Sequence, residues 1–251
     1  MQTNITAVIP AAGMSRRLKI LTENTHKSLL EVNGKPLLQR ILTNLNTVGI
    51  SKVIIITGFC SEKIATAIAN WKMDLKIEFV HNYHFQSTNN MYSLFLARPY
   101  LENSGMLLLD SDILFDKRII KLLIESGKSN VIALRESPNL GEEEIKVTTD
   151  SFGFVKEMNK TVNPKKAIGE SIGIELFDAE ATSELFRIMD HHINELKQVD
   201  DYYEVAFEKS ILNGLKILPI SVGDLLCMEM DTPEDFSIAN ELAIKIDKIG
   251  T

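Results

Sequence analysis

The residues of this chain that could do chemistry sit in short blocks between long apolar stretches. The first block is Pro10-Ala11-Ala12-Gly13-Met14-Ser15-Arg16-Arg17-Leu18. Small residues at 11–13 let a ligand approach the backbone, and N–H groups from Ala11 through Ser15 can cradle phosphate oxygens. Arg16 and Arg17 add fixed positive charge with a fork geometry suited to phosphate. The block is neither GxGxxG nor GxxxxGK[ST], so a dinucleotide fingerprint and a P-loop are both disfavoured. A surface turn with two solvated arginines is the plain alternative. The second block, Leu109-Asp110-Ser111-Asp112, carries carboxylates at i and i+2. On a strand these share a face, as Mg²⁺ ligands beside substrate phosphates do. In the third block, Asn82 to Leu94, the amides of Asn89 and Asn90 can meet a pyrimidine edge or ribose, or simply cap a helix.

These blocks need elements to hold them. Ala7-Val8-Ile9, Val53-Ile54-Ile55-Ile56, Met106-Leu107-Leu108-Leu109 and Val131-Ile132-Ala133-Leu134 are apolar runs of the kind buried on both faces of a parallel sheet. Ile77 to Val80 adds a strand. Between the strands, helical stripes run over Pro36–Val48, Glu62–Trp71, Asn90–Leu101 and Arg118–Ser126. The alternation predicts a doubly wound, mostly parallel Rossmann-like α/β sheet, with ligands beyond the strands' carboxyl ends, where the first two blocks lie. After Pro138 the pattern changes to mixed strands. A hairpin pairs Ile145–Thr148 with Phe154–Met158, a strand covers Ile172–Phe177, and helices cover Ala179–Leu196 and Tyr202–Asn213. A strand at Ile217–Ile220 and a helix at Pro233–Ile246, capped by Thr232, complete the chain. We therefore expect a single domain over 1–251, with a nucleotide-binding half at 1–137. The half at 138–251 would bind the acceptor and carry the last helix.

Composition limits the ligand. The chain has 251 residues with 27 Lys+Arg against 34 Asp+Glu, a formal charge of -7. That balance argues against a general nucleic-acid binder. Residues 13–40 run the other way, with six basic residues against two acidic ones, so this stretch is +4 and the remainder -11. A local basic stretch of this kind suits a polyanion such as a nucleoside triphosphate. Two cysteines, Cys60 and Cys227, form no metal-ligand spacing and no disulfide framework. No signal peptide and no run of roughly 18–20 apolar residues is evident, so a cytoplasmic protein without membrane attachment is expected.

A strand, then AAGxxxRL, then Lys27-Ser28-Leu29-Leu30-Glu31-Val32 and Gly34-Lys35-Pro36-Leu37-Leu38 resembles the sugar-phosphate nucleotidyltransferase superfamily. The resemblance is clear over residues 5–58 and weaker beyond. It implies an enzyme that joins a nucleoside monophosphate to a phosphorylated small molecule and releases pyrophosphate. Arg17 falls on the triphosphate-binding arginine and Lys27 on the catalytic lysine. The family's usual loop carries a second glycine, where this chain has Met14, Ser15 and Arg16. The NxxFxxTNNxYSL pattern of residues 82–94 is similar to the phosphocholine and phosphonate cytidylyltransferase branch, which implies CTP as donor. The resemblance puts the metal-binding aspartate at Asp112 with Asp110 behind it. Asp231, in Glu229-Met230-Asp231-Thr232-Pro233-Glu234-Asp235, supplies the second carboxylate for Mg²⁺, unless it serves only as an acidic residue at a helix start.

Segments around Lys146, Glu170 and Asp201–Glu204 resemble the acceptor-lining segments of that branch. Lys146 is a candidate for the acceptor phosphate or phosphonate. Glu170, Asp201 and Glu204, with Tyr202 or Tyr203, are candidates for a cationic amine. The one tryptophan, Trp71, lies far off in sequence, so a cage for a quaternary ammonium is thin. That tilts the acceptor toward a primary amine such as 2-aminoethylphosphonate rather than phosphocholine. The expected reaction is in-line attack of an ionised acceptor oxygen on the α-phosphorus, catalysed by positioning and charge neutralisation. A sugar-1-phosphate or inositol-phosphate acceptor is the alternative within the class. A non-catalytic nucleotide-binding subunit is the alternative outside it.

Overall fold

Residues 4–137 and 140–249 are described in the structure, a computed structural model, except for the side chains of Arg16, Lys19 and Ile20. The first strand, β1 (Ile5–Ala11), is apolar at nearly every position because it lies in the sheet interior with a helix layer on each face. After it the chain makes a 3-10 segment over Arg16–Thr22 and a 3-10 turn over Lys27–Leu29. A small hairpin follows, β2 (Glu31–Val32) with β3 (Lys35–Pro36). Its turn residues Asn33 and Gly34 take φ of 49° and 68°, the left-handed pair that an Asn-Gly turn favours. Next come α1 (Leu37–Thr47), β4 (Lys52–Thr57), α2 (Ser61–Trp71), β5 (Lys76–His81) and α3 (Asn90–Phe95). Helix α3 is shorter than the sequence pattern predicts. Pro99 has no N–H to donate to an α-helical ladder, so the α-helix stops at Phe95 and the segment finishes in a 3-10 turn at Arg98–Tyr100.

Strand β6 (Gly105–Leu109), the short β7 (Ile113–Phe115), α4 (Arg118–Glu125) and β8 (Val131–Arg135) finish the first half. The second half contains the hairpin β9 (Lys146–Thr149) and β10 (Val155–Asn159), the long β11 (Gly169–Phe177), and α5 (Ala179–Asp190). A single wide turn at His191–Glu195 replaces the last turn and a half predicted for α5. Helix α6 (Glu204–Leu212), β12 (Leu218–Ser221), β13 (Cys227–Glu229) and α7 (Pro233–Ile249) end the described chain.

Among the described residues the main sheet has nine strands, in the order β10-β9-β11-β6-β1-β4-β5, with β8 and β12 beyond the other edge of β11. Strands β6, β1, β4 and β5 are parallel, and β11 runs antiparallel to β6. Alternate residues of each strand enter opposite cores. Ala7, Ile9, Val53 and Ile55 pack with α1, α4 and α7, whereas Val8, Ile54 and Ile56 pack with α3, α5 and α6. Arg40 of α1 is buried and donates to both Asp247 oxygens and to the Val32 carbonyl, tying α7 to the small hairpin. No helix among the described residues is long and apolar enough to cross a membrane.

One irregularity makes room for a site. Strand β11 pairs with β6 only from Ile174 onward and with β9 only at Gly169 and Glu170, and both contacts are on the same edge. Residues 171–173 therefore face an opening at the carboxyl end of β6.

Candidate active site

The opening is a cleft of about 240 Å³. Its walls come from the loop after β1, the turn before α3, the end of β6, the gap in β11 and the start of α6. Two glycines let its walls meet. A Cβ at Gly58 would lie 2.8 Å from the Ala12 carbonyl oxygen and 2.7 Å from the Phe85 Cβ. Gly173, at φ +69°, brings its carbonyl to the Asp110 N–H at 2.9 Å, and a side chain there would strike the Asp110 carboxyl.

The loop after β1 is where the sequence predicts it, with a division of labour. Ala12, Gly13 and Arg17 line the cleft, Ala11 is buried inside β1, and Met14 and Ser15 do not line it. Ser15 holds φ 51°, and its carbonyl accepts from Leu18 N–H and Thr22 Oγ1. That left-handed residue turns the loop in place of the second glycine of the family pattern. The side chain of Arg16 lies outside the described residues. His26 Nδ1 accepts from Ser28 N–H, and burial, reinforced by the Lys27 charge, pulls its pKa down to about 4. At neutral pH the ring carries no charge.

Lys27 lies between two carboxylates distant in sequence. Its ammonium is bonded to Asp112 and lies 3.3 Å from Asp231 Oδ1. Burial alone lowers the lysine pKa, but Asp112 and Asp231 outweigh it and hold the group above the ordinary lysine range. The small β7–β13 ribbon brings the carboxylates together. Ile113 pairs with Glu229, and Met230 N–H donates to the Asp112 carbonyl at 3.0 Å. Asp231 then precedes α7, whose start is a reciprocal cap. Asp235 Oδ2 accepts from the N–H groups of Asp231 and Thr232, and Thr232 Oγ1 accepts from Asp235 N–H at 3.1 Å. Thr232 thus caps the helix as predicted.

Arg17 donates to Asp231 at 2.7 Å and to Glu143 at 3.2 Å, and Glu143 also accepts from Lys160 at 2.9 Å. Lys160 lies over the Tyr202 ring, 5.4 Å from its centroid. Lys160 is not singled out by the sequence, and Glu143 enters there only as part of the segment around Lys146. Lys146, the residue that is, takes a different place. It is 1% exposed on β9 and donates to the carbonyls of Gly141 and Glu144, so it fastens the 141–144 loop and does not line the cleft. Lys146 pairs in register with Asn159, which puts Lys160 at the same end of the hairpin. A lysine just after the returning strand is the signal that could have identified it.

The opposite wall is acidic and buried. Tyr203 Oη donates to both Asp110 oxygens at 3.0 Å. Burial, with Asp112 and Glu175 nearby, holds the Asp110 carboxyl well above its usual range. Burial also pushes Glu175 up to about 8, Glu204 to about 7 and Glu229 to about 8. Glu175 Oε1 accepts from Ser171 Oγ at 2.9 Å, while Glu175 Oε2, Glu204 Oε2 and Asp112 Oδ1 are buried with no hydrogen-bond partner among the described residues. Tyr202 and Glu204 line the cleft as the sequence suggests. Glu170 and Asp201 do not. Glu170 is paired with Arg135 at 2.8 Å, and Asp201 Oδ2 meets His192 Nδ1 at 3.3 Å. Asn89 and Asn90 line the cleft, and Asn89 caps α3.

The donor set at Asp112 and Asp231 fits a hard divalent cation. Two carboxylates converge on one point now filled by the Lys27 ammonium, and the unpartnered Asp112 Oδ1 is a third oxygen at hand.

Residues 7–145 match the MobA-like NTP transferase domain. A choline-phosphate cytidylyltransferase of Haemophilus influenzae is 32% identical over a stretch covering 45% of this chain and 46% of that protein. A choline-phosphate cytidylyltransferase of Streptococcus pneumoniae is 26% identical, with 94% of this chain and 97% of that protein covered. A 2-aminoethylphosphonate cytidylyltransferase of Lancefieldella rimae is 27% identical over 43% of this chain and 42% of that protein. The fold matches the solved CTP:phosphocholine cytidylyltransferase LicC of S. pneumoniae, with a TM-score of 0.80 at 24% identity. That alignment covers 96% of this chain and 99% of LicC.

Proposed function

The chain belongs to the family of MobA-like NTP transferase domains and is a nucleotidyltransferase, and from that premise we propose that it transfers CMP from CTP to a small zwitterionic phosphonate or phosphate, with 2-aminoethylphosphonate preferred over phosphocholine. The observation that carries the acceptor reading is the pair of buried carboxyl oxygens without partners, on Glu175 and Glu204, in the same cleft as the cations Lys27, Arg17 and Lys160. An acceptor with an anion at one end and an amine at the other complements the charge of the two walls.

A primary ammonium carries N–H donors for those oxygens, whereas a trimethylammonium carries none and depends on aromatic faces. Tyr203 cannot supply an exposed face, because its ring is buried against Phe207. Tyr202 and Phe85 are the other aromatic residues in the lining. The relatives named for choline phosphate and for 2-aminoethylphosphonate both support a cytidylyl donor and an amino-alcohol-sized acceptor.

In this reading the acceptor oxygen, ionised at neutral pH, attacks the α-phosphorus in line. The bond from the α-phosphorus to the bridging oxygen breaks, and pyrophosphate leaves with that electron pair. No side chain has to take a proton. Arg17 holds the β- and γ-phosphates, Lys27 neutralises charge on the α-phosphoryl group, and Lys160 binds the acceptor anion. Asp112 and Asp231 would hold Mg²⁺, which when bound supplies positive charge at the reacting phosphate oxygens. As the nucleotide arrives, Lys27 leaves the carboxylates for the phosphoryl oxygens, and Glu143 yields Arg17 and Lys160 to the two substrates.

The test is pyrophosphate release with four NTPs against 2-aminoethylphosphonate, phosphoethanolamine, phosphocholine, glucose-1-phosphate and inositol-1-phosphate, with Mg²⁺. The reading expects CTP with 2-aminoethylphosphonate to be fastest. A sugar or inositol phosphate as best acceptor overturns the assignment of the acid wall to an amine.

A further inference from the structure

Four hydrogen bonds fasten the start of α3 to the segment that leads into α6. Asn89 N–H donates to the Val199 carbonyl at 3.0 Å and Asn89 Nδ2 to the Asp200 carbonyl at 3.2 Å. Met91 N–H reaches the Asp201 carbonyl at 3.4 Å, and Tyr203 N–H donates to Asn90 Oδ1 at 2.9 Å. The fourth bond differs from the others because its acceptor is a side chain. Tyr203 is the residue that opens α6, and no side chain caps that helix from within it. Asn90 accepts the tyrosine's N–H from a different element, 113 residues away.

Tyr203 is thereby fixed at both ends. Its main chain is held by Asn90, and its phenol donates to both oxygens of Asp110 at 3.0 Å. Asp110 is itself locked by its N–H to the Gly173 carbonyl. The residues on either side of Tyr203, Tyr202 and Glu204, line the cleft. A shift of the Tyr203 backbone would carry the acceptor wall with it.

We infer that Asn90 is a positioning residue that sets the acceptor wall, Tyr202 and Glu204, against the end of β6 through Tyr203, and is not a reader of the base. The geometry supports this: the bond from Tyr203 N–H to Asn90 Oδ1 fixes which way the amide faces, with its oxygen turned to the start of α6. The inference rests on the nucleotidyl-transfer reading above.

The experiment is steady-state kinetics with CTP and acceptor varied separately, for wild type, Asn90→Leu and Asn90→Asp. Leucine has a similar volume and no acceptor atom, while aspartate keeps the accepting oxygen. Asn90→Leu is expected to raise the acceptor KM about tenfold, the scale of one lost buried hydrogen bond, and to leave the CTP KM within about threefold. Asn90→Asp is expected to bring the acceptor KM back to within about threefold of wild type. A rise in the CTP KM with the acceptor KM unmoved makes Asn90 a nucleotide contact and overturns the inference. So does an equal loss of acceptor affinity in both variants. If Asn90→Leu does not fold, Asn90→Ala against Asn90→Asp carries the same contrast, and equal acceptor KM values overturn it. A wild type that turns over no acceptor sinks the nucleotidyl-transfer reading and this inference together. An active wild type with an unmoved acceptor KM in the leucine variant sinks this inference alone.

Discussion

Glu175→Gln changes stability by an amount that depends on pH, and the structure fixes the sign. Glu175 is 1% exposed, accepts one hydrogen bond from Ser171 and has one oxygen with no partner. Glu204, Glu229, Asp110 and Tyr203 are the titratable groups that share its wall. Burial raises its carboxyl from the ordinary 4.5 to about 8. The folded state therefore holds a proton that the unfolded chain has released throughout that window. Its contribution to stability is fully present below pH 4.5 and is lost as pH rises toward 8. The penalty relative to a neutral isostere comes to about 1 kcal/mol at pH 5 and about 4 kcal/mol at pH 8. Glutamine keeps an oxygen for Ser171 and does not titrate. Urea unfolding at pH 5 and pH 8 should thus show a small gain for Glu175→Gln at the lower pH and a gain several times larger at the higher. An equal gain at both, or a loss at pH 8, refutes the picture of a buried carboxyl that is charged only at a cost.

Other consequences concern the cations and the helix that carries Asp231. Lys27→Met is expected to lower turnover by ~10²–10³, the usual scale for a preorganised charge in a water-poor site, with pyrophosphate release as the readout. Near-wild-type release would remove Lys27 from the chemistry. Glu143→Gln takes away the carboxylate that bridges Arg17 and Lys160, so the KM for CTP should fall about two- to fivefold, the scale of an exposed ion pair. A higher KM would mean that Glu143 helps the substrate and does not compete with it. Thr232→Ala deletes one side of the cap on α7 and should cost about 1 kcal/mol, a drop in Tm of about 2–4 °C. An unchanged Tm would show that the Asp235 side of the cap suffices.

The sheet was legible in the sequence because its interior strands are read on both faces. Runs such as Val53–Ile56 and Met106–Leu109 have no polar alternative, and the cleft lies beyond their carboxyl ends. The β7–β13 ribbon was not legible. Three-residue strands show no period, and the pairing that joins Asp112 to Asp231 spans most of the second half of the chain. Nor could the alternating pattern say which lysine of the β9–β10 hairpin reaches the cleft. Lys146 is buried only because the carbonyls of Gly141 and Glu144 receive it, and that contact is tertiary. Asn89 and Asn90 are similar. Their amides suit a base or a cap equally until the 199–203 segment arrives to take them. Glu175 was hidden for another reason. A carboxyl inside a strand reads as a solvated position unless one knows that the face it shares with Phe177 is covered by α5 and α6.

The central claim is that two anions are joined at the α-phosphorus between the Lys27–Asp112–Asp231 group and the Glu175–Glu204 wall. Phosphorus NMR of wild-type protein with CTP, 2-aminoethylphosphonate and Mg²⁺ tests it directly. The account predicts a mixed anhydride bearing both CMP and phosphonate resonances, with pyrophosphate in equal amount. Pyrophosphate or phosphate with no anhydride, or no reaction with any amine-bearing acceptor, contradicts it.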